Sequence, residues 1–260
     1  MSCKFKRTAA IVSQECLLPG IFSMWLEAGE IAKEAVPGQF ISMYTKDKSK
    51  LLPRPISLCE IDKEKGFLRV VYRVTGKDTG TEQFSRMVKG DTIEIMGPLG
   101  NGFPLDVRKG RKAFLIGGGI GVPPMLELAK QLDGEKQLIM GYRDKQFLTE
   151  EFEQNGAFYL ATEDGSAGTK GNVLDAIREN SLTADIIYAC GPSPMLRAIK
   201  RYAEEKQIVC YVSMEEHMAC GIGACLACVC KSKEVDGHSH VHNKRVCKDG
   251  PVFLSTEVEI

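Results

Sequence analysis

Four cysteines constrain this chain more than any other feature: Cys220, Cys225, Cys228 and Cys247, in the spacing C-x4-C-x2-C-x18-C. The first three lie within Met218-Ala-Cys-Gly-Ile-Gly-Ala-Cys-Leu-Ala-Cys. This is the plant-type spacing for a 2Fe–2S cluster, in which a glycine-rich loop wraps the inorganic core and a distant fourth thiolate closes it. Gly221, Gly223, Ala224 and Ala227 are small enough to let backbone N–H groups approach the bridging sulfides, where bulkier side chains would clash. Structural zinc is the competing reading. Zinc sites are usually built from two C-x2-C knuckles, and this chain has only one, preceded by an x4 gap. Cys230 is a spare thiol competing with Cys247, but it shares one short stretch with Cys228 and is poorly placed to close the far side of a cluster.

At 260 residues the chain has room for two domains and a small appendage. A formal net charge of zero gives no reason to expect nucleic acid or a membrane surface as partner. No apolar run approaches a membrane span, and Met1-Ser-Cys-Lys-Phe-Lys-Arg lacks the core of a signal peptide. Ten cysteines without such a signal imply a reducing compartment, so the expected location is the cytoplasm. Most of those at 3, 16, 59, 190 and 210 read as small apolar fillers.

Three regions follow. Residues 1–104 carry short β-type runs (Ala9–Val12, Gln39–Tyr44, Phe67–Val74, Thr92–Met96) that predict a small β-barrel. Residues 105–208 alternate apolar strands (Ala113–Ile116, Gln137–Met140, Asp185–Ala189) with helices (Pro124–Leu132, Ser193–Lys206), the pattern of a doubly wound parallel sheet. Residues 209–260 form a cysteine-rich tail too small to fold without its cluster.

The first two regions each hold a phosphate-type motif. Arg54-Pro55-Ile56-Ser57 sets an arginine beside a proline-stiffened strand; its guanidinium can hold a pyrophosphate, and Ser57 can reach a flavin ring nitrogen. Ile116-Gly117-Gly118-Gly119-Ile120-Gly121-Val122-Pro123-Pro124 follows a strand and opens a helix, the context for a pyrophosphate at a helix N-terminus. Its bland alternative is a tight turn without a ligand. Cys190-Gly191-Pro192-Ser193-Pro194-Met195 lies at the C-terminal end of another strand, where open α/β sheets place their chemistry.

In this order the three motifs resemble those of the ferredoxin–NADP reductase superfamily. Glu216-x-Met-x-Cys-Gly-x-Gly-x-Cys-x-x-Cys, Val246–Phe253 and Gly97-Pro-Leu-Gly-Asn-Gly-Phe103 are similar, within it, to the electron-transfer subunits of dihydroorotate dehydrogenase B. The resemblance spans essentially the whole chain. It implies FAD contacts at Arg54, Pro55, Ile56 and Ser57, along the strand at Val71, Tyr72 and Arg73, and at a phosphate turn of Gly80 and Thr81. The segment Val74–Thr79 is longer than the family pattern, so the phosphate turn falls either at Gly80 and Thr81 or at Gly76. NADH is expected along the C-terminal edge of the parallel sheet, its pyrophosphate near Gly117, Gly119 and Gly121 and its nicotinamide near Cys190 and Gly191. Ser57 and Cys190 are the implied catalytic residues.

The implied partner is an FMN-containing dihydroorotate dehydrogenase catalytic subunit, in a heterotetramer with two of each chain. Two alternatives stand beside it. One is the same cofactor chain serving a ferredoxin-dependent transhydrogenase, or a sulfite reductase or hydrogenase. The other is a zinc-stabilised interaction module without redox function. Arg143 suits the 2′-phosphate of NADPH and Asp144 the free ribose of NADH; the resemblance selects NADH. His238, His240 and His242 read as a solvated hairpin tip, and Ile222 and Leu226 as candidates for a partly exposed apolar surface near the cluster.

Overall fold

Strand β1 (Phe5–Leu18) alternates inward and outward residues over most of its length and opens a closed antiparallel barrel. Around it follow β2 (Ile21–Glu27), a short α1 (Glu30–Glu34), β3 (Phe40–Tyr44), β4 (Arg54–Asp62), β5 (Phe67–Arg73), α2 (Gly80–Ser85) and β6 (Thr92–Leu99). The barrel closes in the order β1-β2-β5-β4-β3-β6. Its core is filled by one face of each strand, including Ile11, Met24, Ile41, Met43, Leu58, Val70, Tyr72, Ile93 and Ile95. The computed structural model describes residues 4–106, 111–235, 237 and 240–260.

A second set of elements forms an α/β layer structure. These are β7 (Lys112–Gly118), α3 (Pro123–Gln131), β8 (Glu135–Tyr142), α4 (Thr149–Glu153), β9 (Ala157–Thr162) and β10 (Thr169–Lys170). Then come α5 (Val173–Glu179), which starts in a capping box between Asn172 and Asp175, β11 (Ile186–Cys190), α6 (Ser193–Lys206) and β12 (Val209–Ser213). The tail adds a ribbon of β13 (Val229–Lys231) and β14 (Asn243–Arg245), then β15 (Val252–Leu254). The large sheet runs β10-β9-β8-β7-β11-β12-β15, parallel except for β15. Strand order reverses between β7 and β11, the switch point at which such sheets bind ligands.

The chain divides into two compact units. The barrel unit takes the residues up to Gly102 together with Glu215–Val229 and Arg245–Pro251. The α/β unit takes Phe103–Met214, Cys230–Lys244 and Val252–Ile260. The expected barrel, doubly wound sheet and cluster-bearing tail are all present, and the tail is shared between the two units. Helix Ser193–Lys206 has the limits read from the sequence. Strand β2 was not foreseen: only Glu27 is exposed along Ile-Phe-Ser-Met-Trp-Leu-Glu, and burial on both faces erases the period-two signal. Among the described residues no helix is long and apolar enough to cross a membrane.

Candidate cofactor sites

The cluster loop curls through three left-handed residues, Gly221 (φ +68°), Gly223 (φ +83°) and Leu226 (φ +58°). The two glycines adopt that conformation without steric penalty; Leu226 does so against its preference, and nothing in its sequence context signals it. The curl aims successive amides at one sulfur. The N–H groups of Ile222, Ala224 and Cys225 donate to Cys220 Sγ at 3.5, 3.3 and 3.4 Å. At the far end the N–H of Cys247 donates to Cys228 Sγ at 3.4 Å, and the N–H of Val246 to Cys228 O at 2.9 Å. Arg245 fixes this closing turn: its N–H and Nε donate to Asp249 Oδ2 at 2.8 and 3.0 Å, and its Nη1 reaches Gly223 O at 3.4 Å.

The thiols of Cys220 and Cys225 hydrogen-bond, as do those of Cys228 and Cys247, and Cys220 lies near enough to Cys247 to act on it electrostatically. Among the described residues no three His, Cys, Asp or Glu side chains converge on a point that holds a single ion. Two thiolate pairs lined by amide donors suit a core of two metal atoms better than one tetrahedral zinc. Burial pushes the Cys220 thiol up, but N–H donation from Ile222, Cys225 and Ala224 outweighs it and sets the group at about 6. The hydrogen bond from Cys247 lowers Cys228 and, as the donor's share of the same contact, raises Cys247. Thiolate is the ligating form, and the loop's own hydrogen bonds favour it at Cys220 and Cys228. The Cys230 thiol donates to Lys244 O at 3.5 Å.

The loop is seated on the outer face of the barrel. A Cβ built on Gly221 would lie 3.0 Å from Ser42 Oγ, 3.2 Å from Leu99 Cδ1 and 3.7 Å from Met96 Cε. Ser42 belongs to β3, where Phe40 pairs with Ser57 and Ser42 with Pro55 of β4. Register thus sets Phe40, Ser42, Pro55 and Ser57 on the outer face, with Ile41, Met43 and Ile56 turned to the core. The predicted flavin strand and the cluster loop share one side of the barrel. This juxtaposition was not legible in the sequence, because residues 42 and 221 carry no common signal.

Arg54 is half-buried at the start of β4, and its Nη1 donates to Leu52 O at 2.6 Å. A Cβ on Gly80 would lie 3.1 Å from Arg54 Nε and 3.0 Å from Thr45 Cγ2, so the bare glycine lets the guanidinium stem pass over the start of α2. Gly80 therefore adjoins Arg54, with Thr81 next to it in α2, whereas Gly76 is exposed in the preceding loop at φ +146°. The Thr81 hydroxyl accepts the N–H of Thr75 at 3.1 Å. These residues fit a pyrophosphate turn of Arg54, Gly80 and Thr81. Along β5, Val71 and Arg73 point outward, and Tyr72 needs a correction. Its ring packs in the core against Phe22 and Phe84, and its hydroxyl donates to Gln14 Oε1 at 2.9 Å. Strand alternation leaves only the main chain of Tyr72 for a flavin.

In the α/β unit the two glycine turns interlock. Cβ atoms on Gly117, Gly118 and Gly121 would meet Met140 Sδ at 2.7 Å, Met195 Sδ at 2.4 Å and Cys190 O at 2.4 Å. A Cβ on Gly191 would meet Met195 Cε at 2.4 Å. Packing alone accounts for these glycines, and Gly117 and Gly121 are buried; Gly119, half-exposed at φ +55°, keeps an accessible backbone. The expected cradle at the start of α3 also needs correction. Pro123 and Pro124 have no N–H, the N–H of Val122 bonds Gly119 O, and that of Met125 bonds Val122 O. At α6 only Pro194 among the first three residues lacks an N–H, so that helix start keeps amides at Ser193 and Met195. Cys190 ends β11 fully buried beside it. Arg143 and Asp144 are exposed just beyond β8. His238 lies outside the described residues; His240 and His242 are exposed.

Comparison with known proteins agrees with this layout. Residues 14–103 match the oxidoreductase FAD-binding domain, and residues 215–259 the iron-sulfur cluster binding domain of dihydroorotate dehydrogenase B. The chain is 44% identical over 255 residues to the electron transfer subunit of dihydroorotate dehydrogenase B (NAD(+)) from Geobacillus sp. (strain WCH70), covering 95% of this chain and 96% of that one. The corresponding Fusobacterium nucleatum subunit is 45% identical over 244 residues, covering 89% and 90%. Among solved structures, the NADH-dependent reduced ferredoxin–NADP oxidoreductase superposes with a TM-score of 0.85 at 30% identity, covering 96% of this chain and 89% of that one.

Proposed function

This chain belongs to the family of electron transfer subunits of dihydroorotate dehydrogenase B (NAD(+)), and from that membership we propose that it delivers electrons from NADH to a catalytic partner. The partner in this reading is an FMN-containing subunit that interconverts orotate and dihydroorotate, two copies of each chain forming a heterotetramer. When bound, FAD takes two electrons as a hydride and releases them singly, and the 2Fe–2S cluster accepts them one at a time.

The protein's own work is binding and positioning. Arg54, Gly80 and Thr81 would hold the FAD pyrophosphate, with Pro55 and Ser57 alongside the ring on the outer barrel face. Cys220, Cys225, Cys228 and Cys247 would hold the cluster. Gly119 and the α6 start would take the NADH pyrophosphate, with Cys190 and Gly191 near the nicotinamide. Among the described residues the cysteines form no disulfide, which suits the reducing cytoplasm. The observation that carries the proposal is the seating of Gly221 on Ser42, the register partner of Pro55: the proposed flavin strand and the cluster loop occupy one face of the barrel.

The test is anaerobic recovery of the chain with whatever binds it. Copurification of an FMN-containing chain, with orotate reduction driven by NADH in preference to NADPH, is the expected result. The likeness to the ferredoxin–NADP oxidoreductase supports a second reading, in which the same cofactors serve a larger flavoprotein with further iron–sulfur clusters. Recovery of that partner without orotate reductase activity would replace the first reading by the second.

A further inference from the structure

We propose that Ser42 donates a hydrogen bond from its hydroxyl to the 2Fe–2S cluster and thereby raises the cluster's reduction potential. The inference rests on the reading of the four cysteines as cluster ligands. Ser42 is 1% exposed, and its Oγ has no hydrogen-bond partner among the described residues. A hydroxyl so buried without a partner is unfavourable, and such atoms in native proteins ordinarily meet a group that completes them. The surroundings narrow what that group can be. Oγ lies 3.0 Å from the point where a Gly221 Cβ would be, while Met96 Cε and Leu99 Cδ1 line the same spot with carbon and offer no acceptor.

What faces the hydroxyl is the backbone next to Cys220. That residue's sulfur accepts three amides from its own loop, those of Ile222, Ala224 and Cys225. Ser42 would add a donor from the barrel side. The absence of a side chain at Gly221, which its left-handed φ of +68° also favours, is what lets the barrel come that close. Donors to cluster sulfurs stabilise the reduced state, which carries the greater negative charge, and so shift the potential upward. A barrel residue would then set the driving force between the flavin on its own face and the cluster above it.

The experiment uses the cofactor-loaded protein and reads EPR-monitored potentiometric titrations of wild type and Ser42→Ala. We expect the cluster midpoint to fall by about 59 mV, a tenfold change in a one-electron equilibrium. The FAD potentials should stay in place. Ser42→Thr, which keeps the hydroxyl, should restore the wild-type value, and its near-isostere Ser42→Val should not. The Thr and Val pair also decides the matter if the alanine variant fails to retain its cluster. An unchanged cluster midpoint in Ser42→Ala and Ser42→Val, or a shift confined to FAD, overturns the proposal. A wild-type protein without any 2Fe–2S signal overturns the cluster reading as well.

Discussion

Gly121→Ala isolates the contact between the two nucleotide turns of the α/β unit. The residue does not have a left-handed φ, so alanine brings no conformational strain of its own. Its Cβ would stand 2.4 Å from Cys190 O, 2.5 Å from Cys190 C and 2.6 Å from Gly191 N. These are backbone atoms at the end of a fully buried strand, and no rotamer change relieves them. Restoring an ordinary carbon contact requires the turns to part by about 1 Å. Overpacking on this scale costs about 1–3 kcal/mol, which in a chain of this size lowers Tm by roughly 2–12 °C. A displacement of about 1 Å at reacting groups can slow a reaction on the order of 100-fold. The assay is anaerobic stopped-flow bleaching of bound FAD by NADH, with circular dichroism to confirm the fold. Gly20→Ala is the control: φ is +82°, so it is strained, but its Cβ meets nothing within 4 Å. It should lose stability and keep its rate. A folded Gly121→Ala protein with wild-type bleaching would refute the argument that the packed turns position the nicotinamide.

Three further outcomes follow from particular contacts. Cys225→Ser is expected to abolish electron delivery to the partner while NADH-to-dye activity through FAD persists; equal loss of both would contradict the serial order. Arg69 is buried and bridges Glu60 Oε1 at 2.5 Å and Ser23 Oγ at 2.8 Å, so Arg69→Met strands a shielded carboxylate. That should cost about 3 kcal/mol, or roughly 6–12 °C in a thermal melt, and Arg69→Met with Glu60→Leu should recover at least half. Tyr72→Phe removes only the bond to Gln14 and should cost about 1 kcal/mol. Undiminished FAD content would confirm that its side chain serves the core, and flavin loss would show the opposite.

The sequence reveals most where chemistry dictates residue type. Four thiolates at fixed intervals stand out because no other residue replaces them, and Gly221 and Gly223 follow from the loop they must form. The glycines after β7 are less transparent. A run of glycines looks the same whether it leaves space for a phosphate or for Met140, Met195 and a strand end, and the atoms that settle it come from elsewhere in the chain. Pro123-Pro124 did carry the relevant clue, since two prolines cannot supply amides to an anion. Tyr72 and Ser42 show the opposite limit. A strand's two faces are distinguishable only by period, and Phe-Ile-Ser-Met-Tyr states neither which face is covered nor that residue 221 covers it.

The outer face that carries the Gly221 loop and the proposed flavin strand depends on one irregularity. Phe40 pairs with Leu99 but Ser42 pairs with Met96, so β6 holds one residue more than β3 over this stretch. Before the bulge, Ile93, Ile95 and the site of a Gly97 Cβ, which would touch Ile41 and Ile31, all point inward. Met96 therefore points outward, and on a regular strand Leu99, three residues later, would point in. The extra residue reverses the parity, and both side chains end beneath Gly221. With a continuous ladder one of the two would leave the platform, and the loop would rest on Ser42 with only half of its apolar support. Gly97 and Pro98 sit where this happens, and each suits it: the glycine has no side chain to collide with Ile41, and the proline donates no ladder hydrogen bond. The bulge thus belongs to the cluster loop's seat as much as to the barrel, because it brings that loop onto the face where Pro55 and Ser57 lie, the face proposed for the flavin.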